Sequence, residues 1–271
     1  MTVSRDLADF LLEKAALYET RDFIADDPIQ MPHAFDDLVD IEVAGWYAAT
    51  LAWGNRKSII ASCEELLFRR MSGAPGQFVR EASAAEMEQA FAGFVHRTFQ
   101  AEDAARTARS LRSMLTRYGS LEGAFLSRGP GDAFHMLGAF RDAFFADDPP
   151  GRTSKHVADP RKGSAAKRLN MYLRWMVRPA TRGVDLGVWQ RISPADLSIP
   201  LDVHTGTIGR QLGLFNRKAN DWRAVEALMS ALRQIDPVDP VRLDFALFGL
   251  GAIEKLGNRG EARGERGKAE G

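Results

Sequence analysis

The sequence has a single cysteine, Cys63, five histidines, and no apolar run near the ~18 residues that a membrane-crossing helix needs. One cysteine excludes an intrachain disulfide framework, a cysteine-rich zinc site and a four-cysteine iron–sulfur cluster. Strand signals are nearly absent, because few stretches alternate apolar and polar residues between turn residues. Lysine is scarce, with 8 of the 36 basic residues, the other 28 being arginine. The N-terminus, Met1 to Arg21, carries Asp6, Asp9 and Glu13 where a secretion signal would be basic and then apolar. These absences predict a cytoplasmic chain with no membrane partner, no metal and no bound cofactor.

What is present is ordinary for a globular chain: 271 residues, 45% hydrophobic and 27% charged, enough to bury a core without covalent staples. The 36 basic and 36 acidic side chains cancel overall but not locally. Residues 1–45 hold eleven acidic groups and three basic ones, whereas Arg152 to Arg182 hold nine basic groups and one acidic, Asp159. Such an excess can serve a polyanion. The structural alternative is a solvated charged face.

Apolar residues recur at helical spacing almost everywhere, as in Leu7, Phe10, Leu11 and in Ala108, Leu111, Leu115. The pattern predicts helices over 4–19, 38–52, 57–70, 83–95, 101–118, 120–127, 131–145, 164–178, 186–191, 203–213, 219–234 and 239–253, and hence an all-α fold. Breakers separate them at Gly73-Ala-Pro-Gly76, Gly129-Pro-Gly131, Asp147-Asp-Pro-Pro-Gly151 and Asp236-Pro-Val-Asp-Pro240. From 257 to 271 the chain is chiefly Gly, Arg, Glu and Lys, which predicts a disordered charged tail after one helical domain spanning 1–256.

The stretch Arg161-Lys-Gly-Ser-Ala-Ala-Lys167-Arg168 reads as a tight turn feeding a helix. Gly163 permits the turn, Ser164 can cap the helix, and Leu169, Tyr172, Leu173 and Met176 form its apolar face. Free amides at the helix start, with Arg161, Lys162 and Arg168 nearby, make a seat for a phosphate. Lys167 falls in the first turn, where the helix end and neighbouring cations favour a neutral, nucleophilic amine. Arginine cannot take that role, and the structural alternative is a solvated or phosphate-contacting lysine.

The second stretch is Pro200-Leu-Asp202-Val-His204-Thr-Gly. Asp202 sits where a helix N-cap is expected, and Pro200 keeps the approach extended. A capping role and a carboxylate at the mouth of a pocket are compatible.

Together these stretches resemble the helix-hairpin-helix DNA glycosylases, among them endonuclease III, the MutY-type adenine glycosylases and the 8-oxoguanine glycosylases. Gly163-Ser-Ala-Ala-Lys167 looks like the end of that family's G-x-G-x-K hairpin. Pro200-Leu-Asp-Val-His204, with Arg210 and Leu212-Gly-Leu after it, resembles its P-V-D-V/T-H segment. Upstream, Asp40 to Ile60 looks like the family's early helix, DNA-inserting loop and next helix, and Asp244 to Gly251 is similar to its last helix. Three features depart from the pattern. Ala165 replaces the second hairpin glycine, 35 residues rather than fewer separate Lys167 from Asp202, and the cluster-binding cysteines of endonuclease III are missing. The spacing is most similar to that of archaeal 8-oxoguanine glycosylases.

The resemblance implies a two-lobed helical fold with a cleft and a base-excision DNA-repair enzyme acting as a monomer on damaged duplex DNA. An oxidised purine would be the first substrate to test. Lys167 would attack the anomeric carbon and Asp202 would assist departure of the base. Arg161, Lys162, Gly163, Ser164, Arg168 and His204 would contact DNA, with Trp53 and Asn55 filling the gap left by an extruded base. Phe245, Phe248 and Trp175 would line the base pocket, although core packing is the commoner duty for Phe245 and Phe248 and also accounts for Trp175. Two other classes compete: a non-catalytic helix-hairpin-helix protein that binds nucleic acid, and a metal-dependent phosphohydrolase using His33, His96, His135, His156 and Asp202. The second has neither an adjacent His-Asp pair nor a His-Glu-x-x-His motif. His96-Arg97 is a polar pair in an apolar frame with no assigned role.

Overall fold

The computed structural model describes residues 2–256. The tail expected to be disordered, 257–271, lies outside the described residues. The fold is all-α: α1 (Arg5–Tyr18), α2 (Leu38–Leu51), α3 (Arg56–Glu64), α4 (Pro75–Glu81), α5 (Ala84–Phe91), α6 (Ala101–Tyr118), α7 (Leu121–Phe125), α8 (Ala133–Phe144), α9 (Lys167–Val177), α10 (Val203–Gln211), α11 (Trp222–Ile235) and α12 (Leu243–Phe248). The two short strands are β1 (Val95–His96) and β2 (Phe99–Gln100). No helix among the described residues is long and apolar enough to cross a membrane.

Side-chain caps explain where many of the helices begin. Ser4 caps α1, Asp37 caps α2, Asn55 caps α3, Asp132 caps α8 and Asp221 caps α11, each accepting a bond from a first-turn amide. α5 opens with a capping box in which Ser83 and Glu86 bond each other's backbone amides. α2 is buried from Val39 to Leu51 apart from Asp40, so apolar residues surround it rather than forming one stripe. It packs against α3, α4 and α9, while α1 lies on α12 and α10 also packs on α12. The buried apolar side chains form one continuous cluster.

Several expected elements differ. Residues 186–191 are not helical: the Leu186 and Trp189 amides donate to the Trp175 and Met176 carbonyls at the end of α9 (2.8 and 2.9 Å), so α9 takes the bonds a local helix would have used. Pro75, read as a breaker, instead starts α4 from its first position, where its missing N–H costs nothing. The helix expected to reach 95 stops at Phe91, and Val95 to Gln100 fold into the β1–β2 hairpin around Arg97, whose φ is +55°. That hairpin accounts for His96-Arg97: His96 is buried with Nδ1 2.9 Å from Ser62 Oγ, while Arg97 makes the turn. The helix expected over 57–70 widens into a π-helical stretch at Glu65–Arg70, and the one expected over 239–253 divides into a 3₁₀ turn, α12 and a π-helical end.

Beneath α9 lies a buried ionic network. Arg178, which closes the helix, binds Glu19, Asp185 and Asp239, and Arg242 also binds Glu19. One turn earlier, Arg174 bridges Asp185 and Asp244. The network ties α9 to the end of α1 and to the chain around α12.

Candidate functional site

α9 begins without a capping side chain. Pro160–Lys162 form one 3₁₀ turn started by Asp159 and ended by Gly163 at φ +85°. The Gly163 carbonyl accepts the Trp222 amide (3.0 Å), which fixes the turn against the start of α11. Ala166 adopts a left-handed conformation, φ +47°, unusual for a residue with a Cβ. Ser164 does not cap the helix as the sequence suggests: its Oγ accepts the Ala166 amide (3.2 Å) and shapes the turn, three residues before the helix starts. The first-turn amides of α9 therefore have neither an intrahelical acceptor nor a side-chain cap.

Asp202 stands at the other side of the gap with its two oxygens in separate roles. Oδ1 accepts the Thr205 amide at 2.8 Å and caps α10, while Oδ2 lies 3.2 Å from Lys167 Nζ. The fold thus brings together the two residues that the sequence reading paired across 35 positions. The Lys167 side chain is 40% exposed and that of Asp202 14%, so the pair is reachable without being freely solvated.

Behind the pair opens a cavity of about 640 Å³. Its walls come from the 3₁₀ segment around Asp27, the loop from Ala52 to Arg56, the turn at Lys155 and His156, the start of α9, the lead into α10, and α12. Phe23, Trp53, Phe245 and Phe248 supply its aromatic surface. A second hollow of similar volume adjoins it and shares Phe23, Gly54, Arg56, Lys167 and Phe248. Both volumes are in the range that holds small organic ligands.

The other expected site residues divide into those on this surface and those committed elsewhere. Lys162, Gly163, Asn55 and His204 are exposed. His204 borders the second hollow, its ring 6.2 Å from that of Phe248. Phe245 and Phe248 line the cavity, the first under the Arg174 guanidinium (4.5 Å) and the second under that of Arg56 (5.4 Å).

One expected site residue, Trp175, lies elsewhere, and three others have partners within the fold. Trp175 is fully buried in the core and is not part of the cavity wall. Arg161 is held by both oxygens of Asp142 (2.7 and 2.8 Å) and by Asp159, so its charge is already matched. Arg168 donates to the Thr50 and Lys155 carbonyls and lies over the Trp53 ring (4.7 Å), and burial pushes its pKa down to about 10. Trp53, expected to fill a gap in DNA, is pinned by that guanidinium, by the stacked His156 ring (5.6 Å) and by the edge-on His96 ring (5.2 Å).

Five further groups on the wall carry no role assigned from sequence, namely Asp27, Arg56, Lys155, Arg174 and Asp244, and His156, weighed only as a metal ligand, joins them there. Asp27 reads locally as a turn residue before Pro28, and only the folded chain shows that it reaches the cavity. Burial pushes the Asp244 carboxyl up to about 6 even though Arg174 opposes the shift, and the nearby Asp202 charge adds to it. Burial also pushes His156 down to about 4, although Asp103 works the other way. In the unfolded chain this imidazole titrates near the ordinary ~6.5, so the unfolded state binds the extra proton first. The contribution of His156 to stability is therefore expected to be full above about pH 6.5 and to fall as pH drops from there toward 4. His156→Gln should flatten that slope, as urea midpoints at pH 7.0 and 5.0 would show; an equal slope in the variant would place its origin elsewhere.

A family model described as Protein of unknown function (DUF2400) matches residues 27–253, which include the whole candidate site from Asp27 to Phe248, and the chain belongs to that family. No curated protein and no solved structure matches it.

Proposed function

We propose that this member of the DUF2400 family is a base-excision DNA glycosylase with an associated β-lyase step, acting on damaged duplex DNA. The observation that carries the reading is the Lys167 amine 3.2 Å from an Asp202 carboxylate at the edge of a cavity of about 640 Å³. A lysine amine and a carboxylate in contact beside a cavity with aromatic walls suit attack on a sugar carbon whose base has been turned out of the stack.

In this reading the Lys167 ammonium, which faces Asp202, first gives up a proton to solvent, and the freed amine nitrogen bonds to the anomeric carbon as the bond from that carbon to the base breaks. Asp202 offsets the positive charge that develops on the sugar and takes the proton that the newly bonded nitrogen sheds. Ring opening gives an imine between Lys167 and the sugar, and loss of a proton from the next carbon then expels the 3′ phosphate by β-elimination. The exposed Lys155 and Lys162, the Arg56 side chain and the open amides of α9 are the groups left to meet backbone phosphates. Lys155, Lys162 and Arg56 carry no ion pair among the described residues. Arg161 and Arg168 instead keep the turn and the Trp53 loop in shape.

Borohydride trapping tests the covalent step. Duplexes bearing 8-oxoguanine, uracil, an oxidised pyrimidine or a preformed abasic site are incubated with the protein and reductant. The expected result is a crosslink to at least one damaged duplex that Lys167→Ala abolishes. Duplex binding without any crosslink would replace this reading with that of a non-catalytic nucleic-acid-binding protein.

A further inference from the structure

Of the three carboxyls on the cavity wall, two face a cation. Asp202 meets Lys167, and Asp244 meets Arg174. Asp27 has no ion-pair partner among the described residues. Its Oδ1 accepts the Ile29 amide (3.1 Å), its own amide donates to the Ile24 carbonyl (3.1 Å), and its carbonyl accepts the Gln30 amide (3.1 Å). Pro28 follows directly and is buried, so the turn that presents this carboxyl is stiff. Only Oδ2 is without a protein partner, in a residue that is half-buried against the cavity.

A carboxyl set into the protein with one backbone donor and no contacting cation is poorly placed to hold a charge. The charged groups that act on it are Arg174 and Lys167 of α9 and Arg56 of α3; they favour the anion, but burial outweighs them and raises the pKa. The neutral form carries a proton that the cavity can receive. Departure of a base from its sugar needs such a proton, because the electron pair of the broken bond ends on the base.

We infer that Asp27 is a further catalytic residue of the proposed reaction, the general acid that protonates the departing base. The inference rests on the glycosylase reading of the same cavity. As the bond from the anomeric carbon to the base breaks and Lys167 bonds to that carbon, the Asp27 proton passes to a ring nitrogen of the base. The base leaves neutral and Asp27 is left as the carboxylate, to be reprotonated from solvent after release. β-Elimination at a site that has already lost its base makes no use of this proton.

The separation of the two steps supplies the test. Asp27→Asn keeps an oxygen for the Ile29 amide and removes the transferable proton. Single-turnover base release is measured on whichever duplex of the 8-oxoguanine, uracil and oxidised-pyrimidine set the wild type processes, in parallel with borohydride trapping on preformed abasic duplex. The expected result is base release slower by about 100-fold, within the usual range for an acid catalyst, with abasic trapping within about 2-fold of wild type. The wild-type release rate should also fall as rising pH deprotonates Asp27, and that fall should vanish in Asp27→Asn. Equal losses in both assays would mark Asp27 as a structural residue, and unchanged base release would overturn its role as an acid. If the wild type neither releases a base nor traps an abasic site, the glycosylase reading itself fails and this inference fails with it.

Discussion

Replacing Arg178 with alanine is expected to lower folding stability by about 3–5 kcal/mol, the usual cost of breaking a buried ion pair from one side. The guanidinium is almost fully buried and bonded to three carboxylates: Glu19 at 2.7 Å, Asp239 at 2.8 Å, and Asp185. Those carboxylates raise its pKa, although burial alone would lower it. Alanine leaves Asp185 with Arg174 alone and Glu19 with Arg242 alone, and removes the side chain that joins α9 to the end of α1. The Arg178→Lys variant retains a charge but cannot bond three carboxylates in a plane, so its loss should fall between wild type and alanine. Urea unfolding at pH 7 measures all three proteins. A loss below about 1 kcal/mol for alanine would mean that the cost of burying these charges nearly cancels their attraction. Because Arg174 belongs to the same network and its other carboxylate, Asp244, lines the cavity, loosening at Arg178 should also reach the site.

Helix positions were legible wherever local chemistry alone decides them. α2 was expected over 38–52 and spans Leu38–Leu51, because Asp37 caps it and its apolar residues run without a break. α6 was expected over 101–118 and occupies Ala101–Tyr118, ended by Gly119 in a left-handed conformation. The reading failed where a distant partner takes over the backbone. Residues 186–191 have a helix-like pattern, but the Leu186 and Trp189 amides go to the end of α9, and no local signal reports acceptors eleven and thirteen residues upstream. The start of α9 was misplaced because Ser164 looks like a cap and nothing marks Ala166 as left-handed. At the site, Lys167 and Asp202 were legible because each sits beside a turn signal, Gly163 and Pro200. Asp27 was not, since it reaches the cavity from 140 positions before Lys167 and has only a turn-forming proline beside it. Arg161 and Arg168 show the limit of charge counting: both belong to the basic stretch, yet folding commits one to Asp142 and Asp159 and the other to backbone carbonyls.

The largest effects on activity are expected at Asp202 and Lys167, and the two roles of Asp202 can be measured apart. Asp202→Asn keeps an oxygen to accept the Thr205 amide and so preserves the α10 cap, while the charge facing Lys167 is lost. Its stability should stay within about 0.5 kcal/mol of wild type, and its trapping rate should fall by roughly 10²–10³-fold, the scale on which a single catalytic electrostatic group acts. Asp202→Ala removes the cap as well and should cost about 1 kcal/mol of stability for a comparable loss of rate. Lys167→Arg retains a cation opposite Asp202 but has no amine able to bond to carbon, so it should bind damaged duplex like wild type and give no crosslink. A partly exposed pair of this kind contributes at most about 1 kcal/mol, so neither Lys167 variant should unfold the protein. Full trapping by Lys167→Arg would remove Lys167 as the nucleophile, and an undiminished rate in Asp202→Asn would leave Asp202 as a helix cap alone.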